Sequence, residues 1–134
     1  DEGYQVVAFG GKGDCFPNVT YQLRKVYELE SESVNPSHPI SKRKHFIDAQ
    51  TFTIPRNITY DRKGDIWKSF TIGQAHPDHH LAQNKGTGVA IDDALTMIDI
   101  QAQHCTTGQF KGVVDPKLTP TSKMTVQNLR LSGK

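Results

Sequence analysis

The stretch that decides the fold is Ser41–Gly73, SKRKHFIDAQTFTIPRNITYDRKGDIWKSFTIG. It holds three runs rich in β-branched and aromatic residues, and the turns between them begin at Asp48 and Asp61. The runs are Lys42–Ile47, Thr51–Tyr60 and Asp65–Ile72. An aspartate side chain readily bonds backbone N–H groups just after it, and Gly64 can take the positive φ that closes the second turn. Strands joined this closely must be antiparallel, because parallel neighbours need a long crossover. The sequence therefore predicts an antiparallel meander.

The composition indicates a thin hydrophobic core. The 134 residues form one domain or a large piece of one, yet only 35% of them are hydrophobic. In globular domains the apolar fraction, with glycine included, is usually about 45–50%. Adding the 11 glycines of this chain brings its apolar fraction closer to that value but not up to it. A sheet that buries one face, or a fragment whose other half is missing, accounts for the shortfall. The start at Asp1, without a Met, favours a mature or trimmed product.

Charge and hydropathy give no support for nucleic-acid binding or for a membrane-spanning helix. The net charge is +2, from 16 basic and 14 acidic residues, so no electrostatic case exists for nucleic acid. No apolar run approaches the roughly 18–20 residues that cross a bilayer as a helix. The basic run Lys42–Lys44 is expected on the exposed side of a strand, with peripheral membrane contact as a minor alternative.

Outside the meander, the pattern predicts three more strands and a short C-terminal helix. The strands are Tyr4–Phe9, Val19–Ser31 and Leu95–Gln103, with a turn at Ile91–Ala94 and loops at Gly73–Gly88 and Thr106–Gly112. The helix is expected to begin at Thr119-Pro120-Thr121-Ser122, a hydroxyl cap with proline in the first turn. Its apolar stripe would be Met124, Val126, Leu129 and Leu131, and Gly133 would end it in the left-handed manner.

Alternation within the strands predicts which side chains share a face. Tyr21, Leu23, Tyr27 and Leu29 recur with period two, opposite charged and amide side chains. By the same parity Ile66, Phe70 and Ile72 lie opposite Trp67, the only tryptophan, which is expected to cover one end of the sheet. An apolar face of this kind needs a lid, a guest or a neighbour.

The two cysteines leave two interpretations open. Cys15 and Cys105 are far apart and neither belongs to a CxxC pair. A disulfide between them would close a loop of about 90 residues, for which the chain-entropy model gives roughly 4–5 kcal/mol. The alternative is two buried free thiols.

Candidate chemistry in the sequence is weak. Gly10-Gly11-Lys12-Gly13 lacks the helix that phosphate loops require. His76, His79 and His80 form a tight imidazole cluster that could ligate a transition metal, but the spacing is not HExxH, and a solvated polar loop is the favoured interpretation. Asp92-Asp93 is expected to be a solvated pair. We therefore predict no catalytic residue, no metal and no cofactor.

The chain resembles a bacterial family, the outer-membrane lipoprotein-sorting-like proteins, also called domain of unknown function 1329. The resemblance covers about Thr20 to Lys134, and its most specific part is the Tyr-Asp-x-x-Gly-x-x-Trp element. The matching residues are Arg24, Val26, Glu30, Lys42, Arg43, Phe46, Ile47, Asp48, Tyr60, Asp61, Lys63, Gly64, Trp67, Thr119, Pro120, Asn128, Leu129, Gly133 and Lys134. Phe52 stands where the family often has tryptophan.

This resemblance implies a mainly β fold, a curved antiparallel sheet or incomplete barrel like half of a LolA/LolB carrier, with the short C-terminal helix. Family members are longer, so the chain is expected to be a single domain or the C-terminal fragment of a larger periplasmic protein. In that division residues 1–18 are a loosely attached strand and glycine loop, and residues 19–134 are the family-like region. The resemblance also implies export to the periplasm of a Gram-negative bacterium, with possible outer-membrane association, which supports the Cys15–Cys105 bridge.

Three functions follow as hypotheses. The first is a non-enzymatic periplasmic module that binds or transfers lipid, lipoprotein or other hydrophobic cargo towards the outer membrane. The second is an assembly subunit whose apolar face packs on the missing N-terminal half or on another chain. The third, more distant, is a metal-dependent enzyme using His76, His79 and His80. The predicted cargo or partner face consists of Tyr21, Leu23, Tyr27, Leu29, Phe46, Phe52, Ile54 and Trp67.

Overall fold

The fold is an open antiparallel sheet of six strands. The computed structural model describes residues 6–115, 117 and 123–133. Its strands are β1 (Phe9–Gly10), β2 (Phe16–Pro17), β3 (Val26–Glu32), β4 (Lys42–Asp48), β5 (Arg56–Tyr60), β6 (Ile66–Ala75), β7 (Ile91–Asp99) and β8 (His104–Gln109). Strands β3 to β8 pair in sequence order, whereas β1 and β2 pair only with each other. Because β3 and β8 remain edges, the sheet does not close into a barrel. The predicted fold class is confirmed.

The predicted meander is β4–β5–β6, and both of its turns use aspartate. Oδ1 of Asp48 accepts hydrogen bonds from the backbone of Gln50 (2.8 Å) and Thr51 (2.9 Å). Oδ1 of Asp61 accepts from the backbone of Lys63 (2.9 Å) and Asp65 (3.0 Å). Gly64 closes the second turn at φ 88°, where a side chain would be strained. These contacts confirm the role predicted for both aspartates.

Several strand bounds differ from the prediction. The middle strand starts at Arg56 rather than Thr51, because Phe52 has φ 58° and Pro55 has no N–H to donate. The strand predicted from Val19 starts at Val26, since Val26 pairs with Asp48, the last residue of the neighbouring strand β4. No strand among the described residues pairs with Tyr21 and Leu23, so their alternation forms no ladder there.

The end of the sheet was also predicted incorrectly. Ile91–Ala94, expected to be a turn, is the start of β7, which ends at Asp99 rather than at Gln103. Most of the loop expected at Thr106–Gly112 is β8, which pairs with β7 from Asp99 and His104 onward. Strand β6 runs on to Ala75, into the predicted loop, and two short 3-10 turns follow it at Pro77–His79 and Ala82–Asn84.

The N-terminal segment is fixed to one face of the sheet. Cys15 and Cys105 form a disulfide with Cα atoms 5.9 Å apart, so the free-thiol alternative is wrong. Val7 and Pro17 are buried, and β2 lies against β7. The strand predicted at Tyr4–Phe9 lies partly outside the described residues. Among those described, pairing begins only at Phe9.

The C-terminal helix α1 (Val126–Ser132) is present but exposed. The hydroxyl of Thr125 caps it, accepting from the backbone of Asn128 at 3.2 Å. The cap predicted at residues 119–122 lies outside the described residues. The predicted apolar stripe is uncovered, from 59% exposure at Leu131 to 77% at Met124. Gly133 has φ −92°, so the left-handed stop predicted there is wrong.

Candidate functional site: the apolar face of the sheet

Strand register divides the sheet into two faces. Directly paired residues share a face and the side-chain period is two, so the pairings assign each strand residue to one side. We call one side the apolar face; its large apolar residues are Tyr27, Leu29, Ile47, Phe70, Ile72, Leu95 and Met97. We call the other the covered face, since it carries Cys105 and the N-terminal segment bonded to it; its central residues are Ser69, Ala94, Thr96 and Ile98.

Residues paired across neighbouring strands form three rows on the apolar face, and the rows become more polar from the first to the third. The first row holds Tyr27, Ile47, Ile72, Leu95 and Gly108. The second holds Leu29, His45, Asn57, Phe70, Met97 and Thr106. The third holds Ser31, Arg43, Thr59, Lys68, Asp99 and His104. A ligand on this face would therefore meet an apolar end and a charged end.

Large side chains of the apolar face remain accessible. Tyr27 is 55% and Leu29 is 52% exposed, and Ile47, Phe70 and Met97 are half-buried. One polar pair interrupts the middle row, where Nδ2 of Asn57 donates to Nδ1 of His45 at 2.9 Å. Exposed apolar surface with a polar rim is typical of ligand or protein interaction sites.

The charged end has a defined geometry around Asp99. The Trp67 indole donates to Oδ2 of Asp99 at 3.1 Å, and Lys68 Nζ lies 3.6 Å from the same oxygen and 4.9 Å from the Trp67 ring centroid. The Ala102 backbone N–H, then Trp67 and Lys68, hold the pKa of Asp99 below its ordinary value. These contacts keep Asp99 ionised and hold Lys68 beside it.

The covered face is polar and small where it is buried. Ala94, Thr96 and Ser69 are at most 8% exposed. Towards the β3 edge this face bears an ion-pair ladder, with Lys44–Glu28 at 2.6 Å and Lys42–Glu30 at 2.9 Å. The Lys42 hydrogen bond lowers the pKa of Glu30.

The structure separates the eight predicted site residues. Tyr27 and Leu29 lie together on the apolar face. Phe46 lies on the covered face, in register with Glu28 and Arg56. The remaining predicted residues outside the strands are Tyr21, Leu23, Phe52 and Ile54. That Tyr27 and Leu29 bind cargo stays a prediction.

Trp67 and five other residues show what sequence parity missed. A register shift between Thr59 and Tyr60 leaves Trp67 as an extra residue, so it contacts Lys68 and Asp99 rather than lying opposite Phe70. The apolar residues missing from the predicted set are Ile47, Phe70, Ile72, Leu95 and Met97. Their alternation was visible in the sequence, but only the pairings place them on one face.

The histidine cluster does not converge. His76 and His79 are exposed with ring centroids 5.6 Å apart, whereas His80 is 3% exposed. Asn84 orients His80: its Nδ2 donates to Gly112 O (2.9 Å) and to His80 Nδ1 (3.0 Å). Within residues 6–115, 117 and 123–133, no group of three His, Cys, Asp or Glu side chains is placed to hold a metal ion.

The adjacent carboxylates Asp92 and Asp93 are in different environments. Oδ1 of Asp92, which is exposed, accepts from Gln74 Nε2 at 2.9 Å. Asp93 is half-buried beside Gly73, and burial raises its pKa. The solvated pair predicted from sequence therefore holds only for Asp92.

Comparison with known proteins places the chain in a family. Residues 1–130 match the family described as "Protein of unknown function (DUF1329)". The chain belongs to this family. The resemblance noted on the Tyr-Asp-x-x-Gly-x-x-Trp element is thereby confirmed, and the match also includes residues before Thr20. No curated protein matches this DUF1329 chain.

A solved structure shares the fold of this DUF1329 chain. It is an outer membrane lipoprotein-sorting protein domain from Vibrio parahaemolyticus, with a TM-score of 0.54 at 15% identity. The similarity covers 78% of this chain but 41% of that one, so the chain spans about two fifths of its relative. Among the described residues, no helix has the length and apolarity to cross a membrane.

Proposed function

We propose that this chain is part of a non-enzymatic periplasmic module that binds hydrophobic cargo, lipid or the acyl chains of a lipoprotein, and transfers it towards the outer membrane. The observation that carries the proposal is the apolar face: seven large apolar side chains from four strands share one side of the sheet, and none is fully buried. The fold is that of a lipoprotein-sorting protein domain, which supports the same role.

The energetics of the apolar face suit a carrier. Burying an acyl methylene stabilises a complex by about 0.8 kcal/mol and requires no directional chemistry. An exposed sheet face can therefore hold a guest through area alone and release it to a more apolar acceptor. The described polar side chains of this face include two histidines and a carboxylate: His45 is hydrogen-bonded to Asn57, Asp99 is ion-paired with Lys68, and His104 lies opposite Asp99. What supports the proposal is the area of the seven large apolar side chains rather than these polar groups.

Two observations support a periplasmic location in a Gram-negative bacterium. The Cys15–Cys105 disulfide is of a kind that persists in oxidising compartments. The structural relative is, by its description, an outer membrane lipoprotein-sorting domain. Peripheral contact with the outer membrane would follow when cargo is delivered, and such contact needs no spanning segment.

The test is native mass spectrometry with lipid extraction on protein purified from a bacterial periplasm. Wild-type protein should carry lipid, and the double variant Tyr27→Thr, Leu29→Thr should lose most of it. Threonine keeps strand propensity while removing apolar area. Leu23→Thr is the matched control, because Leu23 is fully exposed outside the sheet. Lipid retained by the double variant, or absent from wild type, would contradict the proposal.

A second candidate function is assembly. In it, the chain is the C-terminal portion of a longer protein, and its apolar face packs permanently on the N-terminal half or on another chain. The open edges β3 and β8 and the 41% coverage of the structural relative favour this alternative. A stable complex with another polypeptide, free of lipid and disrupted by the same double variant, would support it over cargo binding.

A further inference from the structure

We propose that the cargo is an anionic amphiphile, a molecule with an alkyl or acyl chain and a phosphate or carboxylate headgroup. In this arrangement the chain covers the apolar rows and the headgroup binds Arg43. The inference rests on the proposed function and adds the ligand's charge and orientation. Two observations support the inference: the apolar-to-charged order of the three rows, and the ion pairs that the sheet's lysines form with carboxylates.

Arg43 differs from most cations of the sheet because none of the described carboxylates pairs with it. Strands β3 to β8 contain five lysine or arginine residues. Lys42, Lys44 and Lys68 lie 2.9, 2.6 and 3.6 Å from Glu30, Glu28 and Asp99. Among the residues that the structure describes, no carboxylate pairs with Arg43 or with Arg56, the other two. Arg56 belongs to the covered face, so Arg43 is the uncompensated cation of the apolar face.

The surroundings of Arg43 suit an anion. Thr59, only 2% exposed, pairs with Arg43 on one side and with Lys68 on the other. Adjacent strands are about 4.8 Å apart, so the two cations start about 10 Å apart and can both reach an anion above Thr59. A guanidinium is planar and binds carboxylate or phosphate through two parallel hydrogen bonds. Because Asp99 compensates Lys68, Arg43 supplies the net positive charge.

The apolar rows begin beside this cation and fix the ligand's orientation. Arg43 and Ile47 are four residues apart on β4, which corresponds to about 13 Å along the strand. Over that distance the middle row offers Leu29 and Phe70 on either side of the His45–Asn57 pair, and the first row offers Ile47, Ile72 and Leu95. An alkyl chain that leaves its headgroup at Arg43 would pass beside the polar pair and then contact the apolar side chains of the first row.

The test compares two amphiphiles that share an alkyl chain. Dodecyl phosphate and dodecyl maltoside, each below its critical micelle concentration, and inorganic phosphate are titrated into the full chain by isothermal titration calorimetry. We expect dodecyl phosphate to bind at least about tenfold more tightly than dodecyl maltoside, since a hydrogen bond to a charged group typically increases affinity by at least that factor. Arg43→Gln should remove the difference without changing dodecyl maltoside binding, and Arg43→Lys should restore part of it.

Arg56→Gln is the matched control, because it removes the same charge from the covered face. Three results would each overturn the inference. The two amphiphiles could bind equally, Arg56→Gln could weaken dodecyl phosphate binding as much as Arg43→Gln does, or inorganic phosphate could bind as tightly as dodecyl phosphate. If the two bind equally and the double variant Tyr27→Thr, Leu29→Thr weakens both, the inference fails while the proposed function stands. If neither binds, both fail.

Discussion

The two faces of this sheet relate composition to burial in opposite ways. On the covered face, Ala94, Thr96 and Ser69 are small or polar, yet the N-terminal segment and the neighbouring strands bury them. On the apolar face, Tyr27 and Leu29 are large and apolar, yet more than half of each side chain is exposed. A domain that used its best apolar surface for its own stability would reverse this arrangement. Under the proposed function, the covered face stabilises the fold and the apolar face binds a ligand or partner.

Removing the disulfide should have the largest effect on stability, because the disulfide joins the N-terminal segment to the covered face. The double variant Cys15→Ser, Cys105→Ser should lower the free energy of unfolding by about 4–5 kcal/mol, because the bridge closes a loop of about 90 residues. Denaturant unfolding followed by circular dichroism measures the change. Reduced wild type should unfold at the same denaturant concentration as the double variant. An unchanged midpoint would show that the covered face does not depend on its covalent tie.

Packing under the N-terminal segment should be less tolerant than packing on the apolar face. Ala94 has no exposed surface, so Ala94→Leu should cost about 1–3 kcal/mol of unfolding free energy through overpacking. Leu29→Phe, an enlargement on the apolar face, should change it by less than about 0.5 kcal/mol. Chemical denaturation of both variants provides the measurement. Equal costs would mean that the two faces are equally packed.

The ion pair of Asp48 should make the stability of the covered face depend on pH. Its carboxylate bonds Arg24 at 2.7 and 3.0 Å, and Arg24 with the Thr51 and Gln50 N–H groups holds the pKa of Asp48 well below its ordinary value. A lowered folded-state pKa stabilises the fold above the unfolded value of about 4, and this stabilisation is lost as the pH falls below it.

The corresponding variant is Asp48→Asn, which keeps a turn acceptor but removes the charge. We expect its melting temperature at pH 7 to be about 5 °C below that of wild type, and the gap to close progressively below about pH 4. Thermal melts from pH 2 to pH 8 would follow this. Asp65→Asn, an exposed aspartate near the second turn, should show no such gap. A gap that stayed constant with pH would rule out the ion pair as its cause.

The smallest effect on stability is expected on the apolar face. The double variant Tyr27→Thr, Leu29→Thr should melt within about 3 °C of wild type, because both side chains are already more than half exposed in an edge strand. Thermal melting of lipid-free protein measures this. A large loss of stability would mean that these residues belong to the folding core, which would remove the contrast between the faces.

Local chemistry was predictable from the sequence, and pairing was not. The turns at Asp48 and Asp61 follow from side chains that bond the backbone within a few residues, so the meander could be derived. Strand β8 could not, because its Thr-Thr-Gly core has no alternation and becomes a strand only by pairing with β7. The same limit explains Tyr21 and Leu23, which alternate as strand residues do but pair with none of the strands that the structure describes.

The candidate site was predictable only in part, for the same reason. Tyr27 and Leu29 could be chosen by alternation within one strand. Placing Phe70 and Met97 beside them requires the register of four strand pairs, and placing Trp67 requires the extra residue near Thr59. Neither property is encoded in a window of a few residues. Arg43 was visible as part of a basic run, but only the folded sheet shows that no carboxylate in the described part of the chain pairs with it.

The polar character of the buried interior affects how this domain responds to temperature. Asn84, Thr59 and Thr96 are the largest fully buried side chains among the described residues. Exposing apolar surface raises the heat capacity of unfolding, whereas exposing polar surface lowers it. The increment for this domain should therefore fall below the usual value of about 12–15 cal/mol/K per residue. Its curve of unfolding free energy against temperature should be correspondingly shallow, with little weakening on cooling.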